Sequence, residues 1–350
     1  MSVLRWIDSL PIQIRGRGRG SVSSSTGSVE MTKALDMSVP TPGDPSADPA
    51  SSLDERFDKL GRRWIDDVFV AKPSTVPDVL YHYTDAAGLV GMLQNHTIWA
   101  TDYRFMNDKS EVEYTWAAVR DIVNSKLGSC NKSCANMYRE VLKNESSNPN
   151  LFIFSLSREK DDLSQWRGYA RDGQGFTVGF CGTTLNDTAG PDRDYSLLQV
   201  EYDTDKQGSA LRKILTAFET ELSTIAGNAE VDDPTCEVAA SYLDWVIYNR
   251  AAANKHQSFL SEREWRLAAF VREESFNATV EIRAGGLSLV RYVELEPRFP
   301  GTKILPIKSI GIGPGFVGDE QRDAVETLCS KAGYNVEIYS ADTPYRRARI

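Results

Sequence analysis

The chain reads as an α+β protein with a mixed, mostly antiparallel sheet and helices inserted in blocks. Three observations point there. Short runs of β-branched and aromatic residues cluster with hairpin-length links between them. Longer amphipathic stretches arrive in groups between those runs rather than alternating strictly with them. Of the 350 residues, 41 % are hydrophobic and 25 % charged, enough apolar side chain for a full core without disulfides.

Residues 1–52 differ from the rest. "RGRGRGSVSSSTGSVEM" and "SVPTPGDPSADPASS" are rich in Ser, Gly and Pro and show no apolar periodicity, the composition of a disordered tail. Met31 and Met37 lie inside it, and translation starting at one of them is an expectation that mass spectrometry of the native protein would check. Residues 53–346 are expected to form one α+β domain, with 347–350 as a short tail. "SLDERFDKLGRRWIDDVFV" has helical spacing. "DVLYHYT" (78–84) is a strand placed after the breakers Pro73 and Pro77, and "DAAGLVGMLQN" (85–95) is a helix capped by Asp85. "TIWATD" (97–102) is a short strand and "RFMNDKSE" a loop. "SEVEYTWAAVRDIVNSK" (110–126) has Ser110 and Glu113 spaced as a capping box, and a second helix covers Ala135 to Lys143.

"LFIFSLS" (151–157) reads as a buried strand, "DDLSQWRGYA" as a capped helical turn, and "GFTVGF" (175–180) and "LLQVEYD" (197–203) as strands. Helices are expected over 205–226 and 235–253. Strands follow at "EWRLAAFV" (264–271), "ATVEIRA" (278–284) and "VRYVELE" (290–296). The chain closes with the strand and turn "IKSIGIGPG", the helix "EQRDAVETLCSKAG" and the strand "NVEIYSA". "GIGPGF" (311–316) lacks both the phosphate-loop lysine and the dinucleotide glycine spacing, so it is a turn.

Several function classes drop out. No apolar run reaches the roughly 18 residues of a spanning helix, and the N-terminus lacks the apolar region of a signal peptide, so the cytoplasm is the expected location. The five cysteines are scattered and Cys130-x3-Cys134 has no second pair at zinc spacing, so no metal is expected. A net charge of −9 excludes a broad basic footprint for nucleic acid and leaves room for a local patch.

The residues with chemistry to offer are polar groups set into apolar strands. His82 interrupts "VLYHYT". Ser155 and Ser157 close "FIFSLS" two apart, hence on one strand face. Glu262 and Glu264 in "SEREW" are likewise two apart at the head of a strand. Singly, each has a plain reading: a packed histidine, turn-capping serines and a solvated ion-pair face with Arg263 and Arg266. In one cleft they would form an imidazole, two hydroxyls and two carboxylates. Trp166, Arg167 and Tyr169 in "LSQWRGYA" could stack an aromatic ring and pair with a phosphate, or simply pack. Asn107 and Asp108 read as caps.

The strings "YHYT", "IWATD", "FSLS", "LSQWRGYA", "EREWR" and a final "PYR" resemble the bacterial domain-of-unknown-function family 2971, from about Leu80 to Arg346. The ordered series of strand His, Ser-x-Ser and Glu-x-Glu is more loosely similar to the motifs of ADP-ribosyltransferases. That resemblance implies a split sheet around a cleft and NAD as a substrate. It implies that His82, beside Tyr83 and Thr84, holds the adenosine ribose, and that Ser155 and Ser157 support the nicotinamide ribose. Glu264 would bond the ribose 2′-OH and stabilise the cationic sugar, and Glu262 would orient the acceptor. The acceptor would be a protein or a nucleic acid, in a toxin or phage-defence setting. The chain mixes features of superfamily classes, pairing His with Ser-x-Ser and offering only Tyr83 and Tyr169 as ring partners. Two other readings stay open: a non-catalytic sensor that binds a nucleotide or partner, and a metal-dependent nuclease built on Asp102, Asp108 and the glutamates, with Lys255 nearby.

Overall fold

A computed structural model describes residues 52–69, 76–106, 110–145, 150–190, 195–227, 229–271, 279–285, 288–316 and 319–345. The Ser/Gly/Pro-rich segment up to residue 51 with Met31 and Met37, the pair Asn107 and Asp108, and residues 346–350 lie outside the described residues.

Ser52, assigned to the tail by composition, caps the first helix. Ser52 Oγ accepts from the Glu55 amide at 3.2 Å while Glu55 Oε2 accepts from the Ser52 amide at 3.0 Å. This reciprocal capping box starts α1 (Leu53–Phe69) and takes Ser52 out of the tail. The next elements are β1 (Val79–Thr84), α2 (Ala86–Asn95, capped by Asp85) and β2 (Ile98–Asp102). Then come α3 (Ser110–Leu127), α4 (Lys132–Asn144), β3 (Leu151–Ser157), α5 (Leu163–Tyr169) and β4 (Phe176–Cys181). A short α6 (Gly182–Thr188) precedes β5 (Ser196–Gln199), α7 (Thr204–Ala226) and α8 (Asp233–Ala253). A 3₁₀ turn (Gln257–Glu262) leads into β6 (Glu264–Phe270), followed by β7 (Glu281–Gly285), β8 (Ser288–Leu295), β9 (Ile307–Ile312), α9 (Glu320–Ala332) and β10 (Glu337–Ser340). The predicted class holds: α+β with an open, mostly antiparallel sheet, in which β9 and β10 form the parallel pair.

The sheet runs β10-β9-β4-β1-β3-β2-β8-β7, and β6 pairs with β3 and β5 off that path. Of the neighbouring strands only β7 and β8 are a hairpin, so the expected hairpin-length links are mostly long crossings. β6 pairs with β3 over all seven residues, Leu151↔Phe270 to Ser157↔Glu264. β1 and β2 must therefore share β3's other edge. β2 meets it at Phe152 and Ile153, and β1 at Ser157. Between them the edge at Phe154 to Leu156 lacks a strand partner, and there the sheet splits.

Alternation along β3 and β6 divides the interior. Leu151, Ile153 and Ala268 face a core built with α1, α3, α4, α7 and α8, including Phe57, Trp116 and Phe218. Phe152, Phe154, Leu156, Trp265 and Leu267 face the opposite core, shared with α2 and α9. On the helix-packed face the apolar row stops at Ile153 and Ala268. The next positions on that face are Ser155, Ser157, Arg266 and Glu264.

Candidate functional site

A cleft of about 1240 Å³ opens at the split. Its lining takes Ile153 to Ser157 consecutively, as a strand edge does and a strand face does not. His82, Tyr83, Thr84, Ser155, Ser157, Tyr169, Glu262 and Glu264 all line it. Trp166 and Arg167 do not. Trp166 is buried edge-on against Tyr83, ring centres 4.9 Å apart, with its Nε1–H donating to Asp161 at 2.6 Å. Arg167 points outward toward Asp172 at 3.8 Å. The expected stacking shelf is therefore a core contact with a surface ion pair. Tyr83 is committed too: its hydroxyl donates to the Glu159 carbonyl and accepts from the Asp162 amide, both at 2.9 Å.

His82 occupies the split. Its Nδ1 lies 2.8 Å from the Ser155 carbonyl oxygen, the group left without a ladder partner where β1 and β2 diverge. A carbonyl only accepts, so Nδ1 carries the proton and Nε2 is a lone-pair acceptor. Nε2 makes no bond to a described residue. Burial pushes the ring's pKa from 6.5 down to about 4, the Arg283 charge adding to the effect and the Ser155 bond opposing it. The ring is neutral at pH 7 and stacks on Phe154 with centroids 4.1 Å apart.

The same cleft is lined by a buried ion cluster that the sequence shows only in fragments. Lys255 Nζ contacts Glu262 Oε2 at 2.5 Å, Glu264 Oε2 at 2.8 Å and Glu111 Oε1 at 3.3 Å. Arg266, fully buried, grips Glu264 with Nε and Nη2 at 2.9 Å each, reaches Glu111 at 2.6 Å and donates to the Ala252 carbonyl at 2.9 Å. Three carboxyl groups thus face two cations. Burial raises the Glu264 pKa, but Arg266 and Lys255 outweigh it and hold the group ionised. Burial also opposes the charge on Lys255, and Glu264 and Glu111 override it, so Lys255 stays protonated. For Glu111 burial prevails and its pKa is raised.

The two glutamates do not share a strand face as their spacing implied. Glu262 ends the 3₁₀ turn and Arg263 turns left-handed at φ 43°, so β6 starts only at Glu264. Lys255, from the end of α8, brings them together. The side chain of Glu262 is 13 % exposed and that of Glu264 5 %. Glu262 Oε1 accepts from the Tyr169 hydroxyl at 3.0 Å. Ser157 supports from behind: its Oγ donates to the Glu262 carbonyl at 2.7 Å and accepts from the Glu159 amide at 3.1 Å.

Asp102 is buried and bound by Arg104 at 2.7 Å and by Arg291. Among the described residues no group of three or more His, Cys, Asp or Glu side chains is placed to hold a metal ion. The glycines of "GIGPGF" serve chain packing: a Cβ on Gly313 would sit 2.3 Å from the Gly173 carbonyl oxygen. Arg283, Glu111, Trp99 and Thr101 also line the cleft and were not singled out from sequence, because only the register of β2, β7 and α3 brings them there. No described helix is long and apolar enough to cross a membrane.

Neither a curated protein nor a solved structure matches the chain, so the likeness to ADP-ribosyltransferases rests on residues alone. Residues 165–267 match the family described as "Protein of unknown function (DUF2971)", a stretch running from α5 to β6. It contains Tyr169, Lys255, Glu262, Glu264 and Arg266, whereas His82, Ser155 and Ser157 lie N-terminal to it. Over those residues the chain is similar to that family.

Proposed function

We propose that the cleft binds NAD as substrate and transfers its ADP-ribose to a protein or nucleic-acid acceptor. The observation that carries this reading is that a neutral histidine acceptor, His82 Nε2, and a carboxylate held ionised by two cations, Glu264, line one cleft. A volume of 1240 Å³ exceeds the roughly 300–1,000 Å³ of ordinary small-molecule pockets, which suits a dinucleotide.

In this reading the bond from ribose C1′ to the nicotinamide nitrogen breaks and its electron pair leaves with the ring. The sugar becomes cationic, and a fixed carboxylate beside it favours that state over the ground state. The acceptor's lone pair then forms the new bond at C1′. Glu262, the more exposed carboxylate, is the group able to take the acceptor's proton. Glu264, held by Lys255 and Arg266, acts as a fixed anion. His82 accepts from a ribose hydroxyl.

The test is nicotinamide release from NAD by the purified chain. Glu262→Gln is expected to lower the rate about 10²- to 10³-fold with the fold kept. An unchanged rate would sink the assignment. A binding-only cleft is the second reading, favoured by the complete engagement of both Glu264 oxygens. Tight NAD binding by calorimetry with no turnover, candidate acceptors present, would select it.

A further inference from the structure

Three cations line the cleft among the described residues: Arg171, Lys255 and Arg283. Two are already neutralised. Arg171 pairs with Asp85 at 3.0 Å, and Lys255 is surrounded by three glutamates. Arg283 differs. Among the described residues it contacts no carboxylate, and its one hydrogen bond runs from Nη2 to the neutral Thr101 Oγ1 at 3.0 Å. Its Nε–H is shut off from solvent without an acceptor. A half-buried guanidinium with no described carboxylate beside it is unfavourable when the protein stands alone, and an incoming anion offsets that cost.

The register gives this group a defined setting. Thr101 pairs with Tyr292 and Arg283 with Val290, which puts Trp99, Thr101, Tyr292 and Arg283 on one face of the β2-β8-β7 sheet. Thr101 holds Nη2 of the guanidinium and leaves Nη1 and the second Nη2 proton, its outer edge, to meet a ligand. The other wall of the split presents His82 Nε2, and Arg283 lies close enough to act electrostatically on that ring. A cation that binds two oxygens in one plane, facing a lone-pair acceptor, matches a sugar bearing both a phosphate and a free hydroxyl.

We propose that Arg283 is the phosphate receptor of the cleft, taking the anionic group of a phosphorylated nucleoside whose ribose hydroxyl donates to His82 Nε2. The inference rests on the nucleotide reading above and names the part of the ligand that this wall recognises. Thr101 is a positioning residue that holds the guanidinium in plane.

Calorimetry on the full chain with ADP-ribose and with adenosine tests it. Wild type is expected to bind ADP-ribose, Arg283→Ala to bind it at least tenfold more weakly, and both to bind adenosine alike. Thr101→Val is expected to weaken ADP-ribose several-fold, again sparing adenosine. Thermal melts of each variant control for folding, which an edge-strand position should leave intact. Equal ADP-ribose affinity in wild type and Arg283→Ala, or no ADP-ribose binding by wild type, would overturn the proposal. Binding of ADP-ribose through Arg283 without nicotinamide release keeps it and defeats the transferase reading. Release of nicotinamide at wild-type KM by Arg283→Ala does the reverse.

Discussion

His82 answers for the break in the β3 edge. Where β1 and β2 separate, the Ser155 carbonyl has no ladder donor, and an imidazole supplies one while keeping an acceptor turned to the cleft. Its depressed pKa has a stability consequence. Between about 4 and 6.5 the unfolded chain binds a proton that the folded ring refuses, so stability is complete above 6.5 and falls as pH drops through that window. From pH 7.5 to 5 the loss from this residue is about 2 kcal/mol. Urea midpoints should therefore fall further in wild type than in His82→Asn over that range; equal falls would refute it. The sequence exposed this residue as a polar group in an apolar strand. It was silent on Arg283 and Glu111, since a lone arginine in a strand and a glutamate in a first helical turn look ordinary until register and packing set them in a cleft.

At the scale of elements, β3 and β6 show how much periodicity conveys. The stretches 151–157 and 264–270 are legible as strands, and their alternate residues already separate two faces. Their pairing is not legible. More than a hundred residues intervene, and only the register Ser157↔Glu264 reveals that both strands turn polar at the same end. The stretch 182–188 carries no apolar period and was not expected as the helix α6. Glu262 was misplaced for a related reason, because a left-handed Arg263 breaks the alternation that two-residue spacing assumes. Helix α8 hides another cost. Asp244 is buried with one oxygen on Asn144 at 2.6 Å and the other without a partner, and burial raises its pKa well above 3.8. Above pH 3.8 the unfolded chain sheds a proton that the folded chain keeps, so this residue lowers stability as pH rises. Asp244→Asn is expected to add roughly 1–3 kcal/mol at pH 7.5 and progressively less toward pH 4. A gain independent of pH, in denaturant midpoints, would contradict the cause assigned.

For the whole molecule, the β3–β6 pair is the wall common to two cores. Phe218 belongs to the helix-packed core and Phe180 to the opposite one. Because each strand contributes alternate residues to both, loss of either core should unfold the other. Phe218→Ala and Phe180→Ala are each expected to cost about 3–5 kcal/mol. Far-UV circular dichroism and tryptophan fluorescence should still trace one coincident transition in both variants. Separate midpoints would divide the expected 53–346 domain into two folding units.

The amino-acid sequence by itself determined the α+β class, nearly all helices and strands, and the polar residues that interrupt apolar runs. Local spacing encodes all of these, because propensity, capping and amphipathic period act within a few residues. Only the tertiary structure decided that β1 and β2 share one edge of β3, that Lys255 and Arg266 gather three glutamates, that Trp166 packs inside, and that Arg283 lines the cleft with no described carboxylate beside it. Those outcomes depend on which distant strands pair and in what register. The free energy that selects the register is buried area summed over both cores, and no short stretch of sequence contains it.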